Sequence, residues 1–299
     1  MDGGGIFGVH TAVILQRLEA ACPGFIEKTD LFAGTSIGGM IGLILAAGFT
    51  PDDAMKVYTN AGAFFTRSWC RRILSKIGLK ALYDNTGRQQ ILSQWLGTTT
   101  LGQLKKYVVV QSFDLNASPA WDGVVFHNIP ATANSPYPDS SNMLAVDAGM
   151  ATSAAPMYFP SYGSYVDGGV ASNNPATTAI TMTQDKTLSW PFAETPIQNV
   201  KLFSIGRTYA GDQITTPNYD GGYIGWLPHI LEILLTGNQS MVNYEAQELL
   251  GDGFFRHNGA IPASLNVDID DASAIPALIA WSQSLDLTNE IAWIKANWF

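Results

Sequence analysis

Gly34-Thr-Ser-Ile-Gly38 has the form G-x-S-x-G, with an apolar approach (Leu31-Phe32-Ala33) before it and a long apolar stretch (Met40 to Ala47) after it. Strand, sharp turn and helix in that order are the setting of a serine nucleophile elbow. Glycines flank such a serine because its strained backbone leaves no room for Cβ atoms beside it. The turn lifts the Ser36 hydroxyl clear of the sheet at a helix N-terminus, where N–H groups and the helix dipole stabilise developing negative charge. Read alone, the motif is also compatible with an ordinary strand–helix turn capped by serine, since the chain has 29 glycines.

A second segment, Asp2-Gly3-Gly4-Gly5-Ile6-Phe7-Gly8, precedes an amphipathic run from Val9 to Ala21. Glycines opening a helix expose successive backbone N–H groups, the raw material of an oxyanion hole. Gly3, Gly5 and Gly8 also satisfy G-x-G-x-x-G. A dinucleotide site would need a preceding strand and an acid at a strand end about 20 residues on. Asp30 instead precedes the Leu31-Phe32-Ala33 strand, and Ser36 would be left without a task, so the nucleotide reading is set aside.

The surrounding elements suit an enzyme. The chain has 299 residues, 46% of them hydrophobic, with no linker, internal repeat or low-complexity tract, which predicts one domain over 1–299. Strand-like runs at 108–113, 124–127 and 200–205 alternate with helical ones, predicting an α/β sheet with helices on both faces. Thr50-Pro51-Asp52-Asp53 reads as a helix start. The run 134–142, rich in Ser, Pro, Asn and Asp, reads as a surface loop. A net charge of −9 argues against a nucleic-acid partner. Cys22 and Cys70 have no metal spacing, and no ligand cluster points to a metal or another cofactor. The longest apolar stretch, 37–49, is shorter than a bilayer span. No signal peptide is visible, and the sequence leaves cytoplasmic and secreted locations both open.

Five blocks in order make the chain resemble the patatin-like phospholipase family. Asp2-Gly-Gly-Gly5 with Gly8 is similar to its oxyanion loop, and Gly34-Thr-Ser-Ile-Gly38-Gly39 to its nucleophile elbow. Tyr83-Asp84-Asn85 and Leu101-Gly102-Gln103-Leu104 resemble its middle region. Ala151-Thr-Ser-Ala-Ala-Pro156 with Tyr158-Phe159-Pro160 resembles the run ahead of its aspartate, and Val166-Asp-Gly-Gly169 with Asn173-Asn174-Pro175 follows. The likeness covers roughly residues 2 to 210; the last ninety or so add little to it. It implies a three-layer α/β sandwich with a largely parallel central sheet. It also implies a lipid acyl hydrolase in which Ser36 is the nucleophile and Asp167 its partner, a dyad without histidine. Gly3, Gly4 and Gly5 would then supply oxyanion N–H groups, with Ile37 a further donor, while Gly8, Gly34, Gly38, Gly168 and Gly169 shape the turns. No cofactor is implied, and the expected partner is a lipid or other acyl ester.

Such a dyad is physically sensible, because a partly desolvated aspartate with a raised pKa accepts a serine proton. Read alone, Asp167-Gly168 is a common turn pair. Two departures stand out. Family members usually carry a short apolar strand ahead of the glycine loop, whereas this sequence opens at Met1-Asp2. A loop position often held by Arg or Lys is here Phe7, which weakens a strict phospholipid assignment. The alternatives are a Ser-His-Asp esterase, in which His229 or His257 fits the α/β-hydrolase order, and a non-catalytic lipid-binding relative. His10 and His127 carry no local signature. A membrane contact is also conceivable, since residues 54–83 hold six of the sixteen basic residues and no acid. There Phe65, Trp69 and Ile73 recur at helical spacing opposite Arg67 and Arg71, a pattern fit for an anionic lipid surface or for ordinary core packing. Oligomeric state is open.

Overall fold

The computed structural model describes residues 1–59, 64–65, 74–75, 79–190, 195–208, 214–265 and 267–299. Most of the basic segment, with Arg67, Trp69, Cys70, Arg71 and Ile73, lies outside the described residues.

The central strand is β2 (Tyr107–Asp114). β1 (Leu31–Thr35) runs parallel to it, from Leu31 opposite Tyr107 to Thr35 opposite Gln111. β3 (Asp122–His127) returns antiparallel along the other edge, and β4 (Tyr165–Asp167) pairs antiparallel with the far end of β2, placing Asp167 opposite Ser112. Because β3 already occupies one edge of β2, β1 and β4 share the other and abut end to end. Their C-termini therefore meet where Gln111 gives way to Ser112. The sheet is mixed, with the parallel β1–β2 pair at the serine and the antiparallel hairpin beyond it.

Alternation along β2 gives the sheet two apolar faces. Val108 and Val110 join the main core with Phe32, while Val109 joins a second cluster with Met182, Leu188 and Trp190. On the first face lie α1 (Gly8–Ala21), the entirely buried α3 (Ile37–Ala46) and α6 (Ala145–Thr152). Between them in sequence come α2 (Phe25–Lys28), α4 (Pro51–Thr59) and α5 (Thr86–Leu96). α4 starts where expected, with Thr50 and Asp53 bonded to each other. α7 (Ala176–Gln184) supplies Met182 to the second face. The expected α/β architecture, with helices on both faces, is present.

A second pair, β5 (Leu202–Ile205) and β6 (Phe254–His257), is parallel. It is stitched to β1 by two residues. The Met1 ammonium donates to Ala33 O, Thr35 N–H donates to Met1 O, and Asp2 N–H donates to Ile205 O. Beside this stitch, between β1 and β5, is an apolar cavity of about 380 Å³. The chain ends in α8 (Gly222–Thr236), α9 (Gln239–Leu250), α10 (Ile275–Ser284) and α11 (Thr288–Asn297). Ile275, Leu278 and Ile294 from the last two join the same core cluster as Ile6 and Val9. Among the described residues no helix is long and apolar enough to cross a membrane.

Candidate active site

Ser36 sits between β1 and α3 with φ 54° and ψ −125°, a conformation that costs a non-glycine residue on the order of 1–3 kcal/mol. The flanking glycines are needed for close approach. A Cβ on Gly34 would lie 2.3 Å from Gly38 O, and one on Gly38 would lie 2.3 Å from Met1 O. Thr152 at the end of α6 accepts the Ser36 N–H (2.8 Å) and donates to Gln111 O (2.5 Å), tying the elbow to β2.

The head-on meeting of β1 and β4 brings the Ser36 hydroxyl to Asp167, with Oγ donating to Oδ2 at 2.5 Å. The other carboxylate oxygen accepts the Gly169 N–H at 2.8 Å, and Gly168 passes close over Gln111 O. Asp167 is 3% exposed. Burial pushes its pKa up to about 6, against the opposing pull of the Ser36 and Gly169 hydrogen bonds and of Arg88. The carboxylate is thus ionised near neutrality and poised to accept a proton.

Arg88, which sequence reasoning did not single out, is wholly buried in α5. Its guanidinium donates to Ser153 Oγ (2.7 Å) and Asn85 Oδ1 (2.6 Å) and lies 4.0 Å from the centre of the Phe159 ring. Desolvation lowers its pKa to about 9, so it remains a cation facing Asp167. Its partners fall within two of the sequence blocks noted above, which was the available clue.

On the opposite side of the cleft runs the glycine loop. Among the described residues no acceptor is bonded to the N–H of Gly4 or Gly5, and both line the cleft with Ser36. Gly5 has φ 58°, and a Cβ there would meet Ile269 O at 2.2 Å. Gly3 is placed differently from the expectation. Its N–H donates to Asn173 O (3.3 Å) and its carbonyl accepts from Asn173 Nδ2 (3.1 Å), so it is spent on holding the loop. Ile37 opens α3, where first-turn N–H groups have no intrahelical acceptor. Gly8 lets α1 approach Ile37 and the Tyr58 hydroxyl. Phe65, Tyr158, Phe159, Leu235 and Ile269 make the rest of the cleft apolar, and among the described residues no cation lines it.

No histidine reaches the pair. His10 bonds Ser282 and His257, His257 bonds Glu290, His127 bonds Tyr137 O, and His229 lies at the Tyr219 ring. Cys22 is a buried free thiol.

An α/β sheet thus presents a strained serine against a desolvated carboxylate at an apolar cleft. The pattern of the patatin-like phospholipase family matches residues 1–180, and the chain belongs to that family of lipid acyl hydrolases. It is 28% identical to Protein teg of Priestia megaterium over 99% of this chain and 97% of the relative. It is 29% identical to a cGAMP-activated phospholipase of Pseudomonas aeruginosa over 86% and 76%. It is 30% identical to Patatin-like protein 2 of Oryza sativa subsp. indica over 60% and 51%.

Proposed function

We propose that the chain is one catalytic domain over 1–299 that hydrolyses carboxylic esters of acyl lipids through a Ser36–Asp167 dyad. The observation that carries this reading is the 2.5 Å hydrogen bond from Ser36 Oγ to a buried carboxylate whose pKa is raised to about 6. Asp167 Oδ2 takes the hydroxyl proton as Oγ attacks the ester carbonyl. The resulting oxyanion is received by the N–H groups of Gly4, Gly5 and Ile37. Collapse expels the alcohol, which leaves with the proton held by Asp167, and the acyl group stays on Ser36. A water that gives its proton to Asp167 then attacks the acyl-enzyme and releases the fatty acid, and Ser36 recovers its hydroxyl.

The apolar cleft supports recognition through the acyl chain. With Phe7 in the loop and no cation lining the cleft among the described residues, the reading extends to acyl esters in a broad sense. The test is hydrolysis of a short-chain chromogenic ester, together with fluorophosphonate labelling, in the parent and in Ser36→Ala. Loss of both signals in a folded variant is expected; residual hydrolysis at the parental rate overturns the assignment.

A further inference from the structure

We propose that the exposed face of α8 is a docking surface for a zwitterionic lipid bilayer, holding the protein at the surface that carries its substrate; the proposal rests on the lipid-hydrolase reading above. Along α8, Trp226, Ile230 and Ile233 recur at helical spacing, and their relative exposures are 38%, 46% and 48%. Met241 and Tyr244 on α9 are more exposed still. At about 3.6 residues per turn, Leu235 falls on the side of α8 opposite Trp226. That residue lines the cleft and lies against Gly169, next to the dyad. The helix that walls the cleft on one side therefore offers an apolar stripe to solvent on the other. Met157 is likewise exposed beside the cleft residue Tyr158.

Charge decides the kind of surface. Between Arg207 and Arg256 the sequence holds no Lys or Arg, while Asp220 just ahead of α8 and Glu245 and Glu248 on α9 are exposed. An anionic membrane would repel this face, whereas a zwitterionic one accepts it. Trp226 and Tyr244 are of the type that settles at a headgroup boundary.

The test is co-sedimentation with phosphatidylcholine vesicles, with and without added phosphatidylglycerol. The parent is expected to bind phosphatidylcholine vesicles, and anionic lipid is expected to leave binding unchanged or weaker. The double substitution Ile230→Ser with Ile233→Ser should lower the partition coefficient by about tenfold or more, since each isoleucine loses its apolar burial. It should leave hydrolysis of the soluble short-chain ester within about twofold. Ser36→Ala should bind as the parent does. Continued hydrolysis by Ser36→Ala would thus remove the catalytic reading and leave the sedimentation result to stand or fall by itself. Equal binding by parent and double variant overturns the proposal, as does a parent that ignores phosphatidylcholine or needs anionic lipid. A parent that is dimeric in solution and becomes monomeric on the double substitution also overturns it, by assigning the face to a second copy.

Discussion

Ser36 and Asp167 meet because β1 and β4 abut on the same edge of β2, whereas the glycine loop across the cleft is held by contacts gathered from remote parts of the chain. Asp2 is clasped by Arg256 and bonded to Ile205 O. Gly3 is held by Asn173, Gly4 lies against Arg207, and Gly5 with Ile6 lies against Ile269. The pair is thus fixed by the registers of β1 and β4 on β2, and a slip of either strand would part the two side chains. The loop depends on separate contacts with Asn173, Ile205, Arg207, Arg256 and Ile269, each contributing a little, so its geometry degrades by degrees. This difference predicts steep effects on one side of the cleft and graded ones on the other.

The largest effect is expected at the carboxylate. Asp167→Asn keeps the shape but accepts no proton, so turnover should fall by about 10⁴-fold or more, and adding Ser36→Ala should make it little worse, because the two act in one step. Stability should move the other way. The Asp167 pKa is raised on folding from 3.8 to about 6. The native state therefore holds the proton more tightly, and stability from this group is present below pH 4 and lost as the pH rises to 6. At pH 7 the buried charge costs up to ~3 kcal/mol, a net figure in which desolvation already outweighs the hydrogen bonds and Arg88. Thermal melts should show Asp167→Asn above the parent at pH 7, with the gap closing near pH 4. An equal or lower Tm at pH 7 would mean that the hydrogen bonds outweigh desolvation.

On the loop side, Gly4→Ala should lower kcat about a hundredfold, the typical loss of one oxyanion donor. Its new Cβ would stand 2.8 Å from Arg207 Cβ, so the strand of loop must shift. Arg256→Met, which unclasps Asp2, should cost about tenfold. Neither should move the acid limb of the pH–kcat/KM profile from about pH 6, since neither touches Asp167. A shifted limb in either variant would erase the distinction between the two sides.

Arg88→Met supplies the opposite signature. Removing the cation that holds the Asp167 pKa down should raise the acid-limb midpoint above 6 and reduce the rate severalfold at pH 6, with recovery at higher pH. An unmoved midpoint would reduce Arg88 to packing. Smallest of all, single substitutions of His10, His127, His229 and His257 should each leave kcat within about threefold in protein that remains folded. One histidine whose loss matched that of Ser36 would replace the dyad with a triad.

The elbow and the aspartate were legible because each is a short motif whose geometry is local. Gly34 and Gly38 announce a turn with no space for Cβ, and Asp167-Gly-Gly169 announces a backbone that passes close to a neighbour. The helices on both faces of the sheet followed from strand-like runs that alternate with helical ones. What was not legible depended on distance in sequence. Nothing in the glycine run says that the Gly3 N–H is spent on Asn173 while those of Gly4 and Gly5 find no bonded acceptor among the described residues. Arg88 looked like any helical arginine until its burial against Phe159 was seen. The C-terminal third, which adds little to the family likeness, contributes Leu235, Arg256 and Ile269 through contacts that leave no periodic trace.

The way the glycine loop is held has a consequence for endurance. Its anchors, Asn173, Arg207, Arg256 and Ile269, lie far from it in sequence, whereas Ser36 and Asp167 sit at the ends of two strands of one sheet. Local opening of those anchors would let Gly4 and Gly5 drift while the sheet that carries the serine and the aspartate stays intact. On warming, the enzyme would then fall silent before it melts, with its serine still seated against its aspartate, and cooling would restore it without refolding the core.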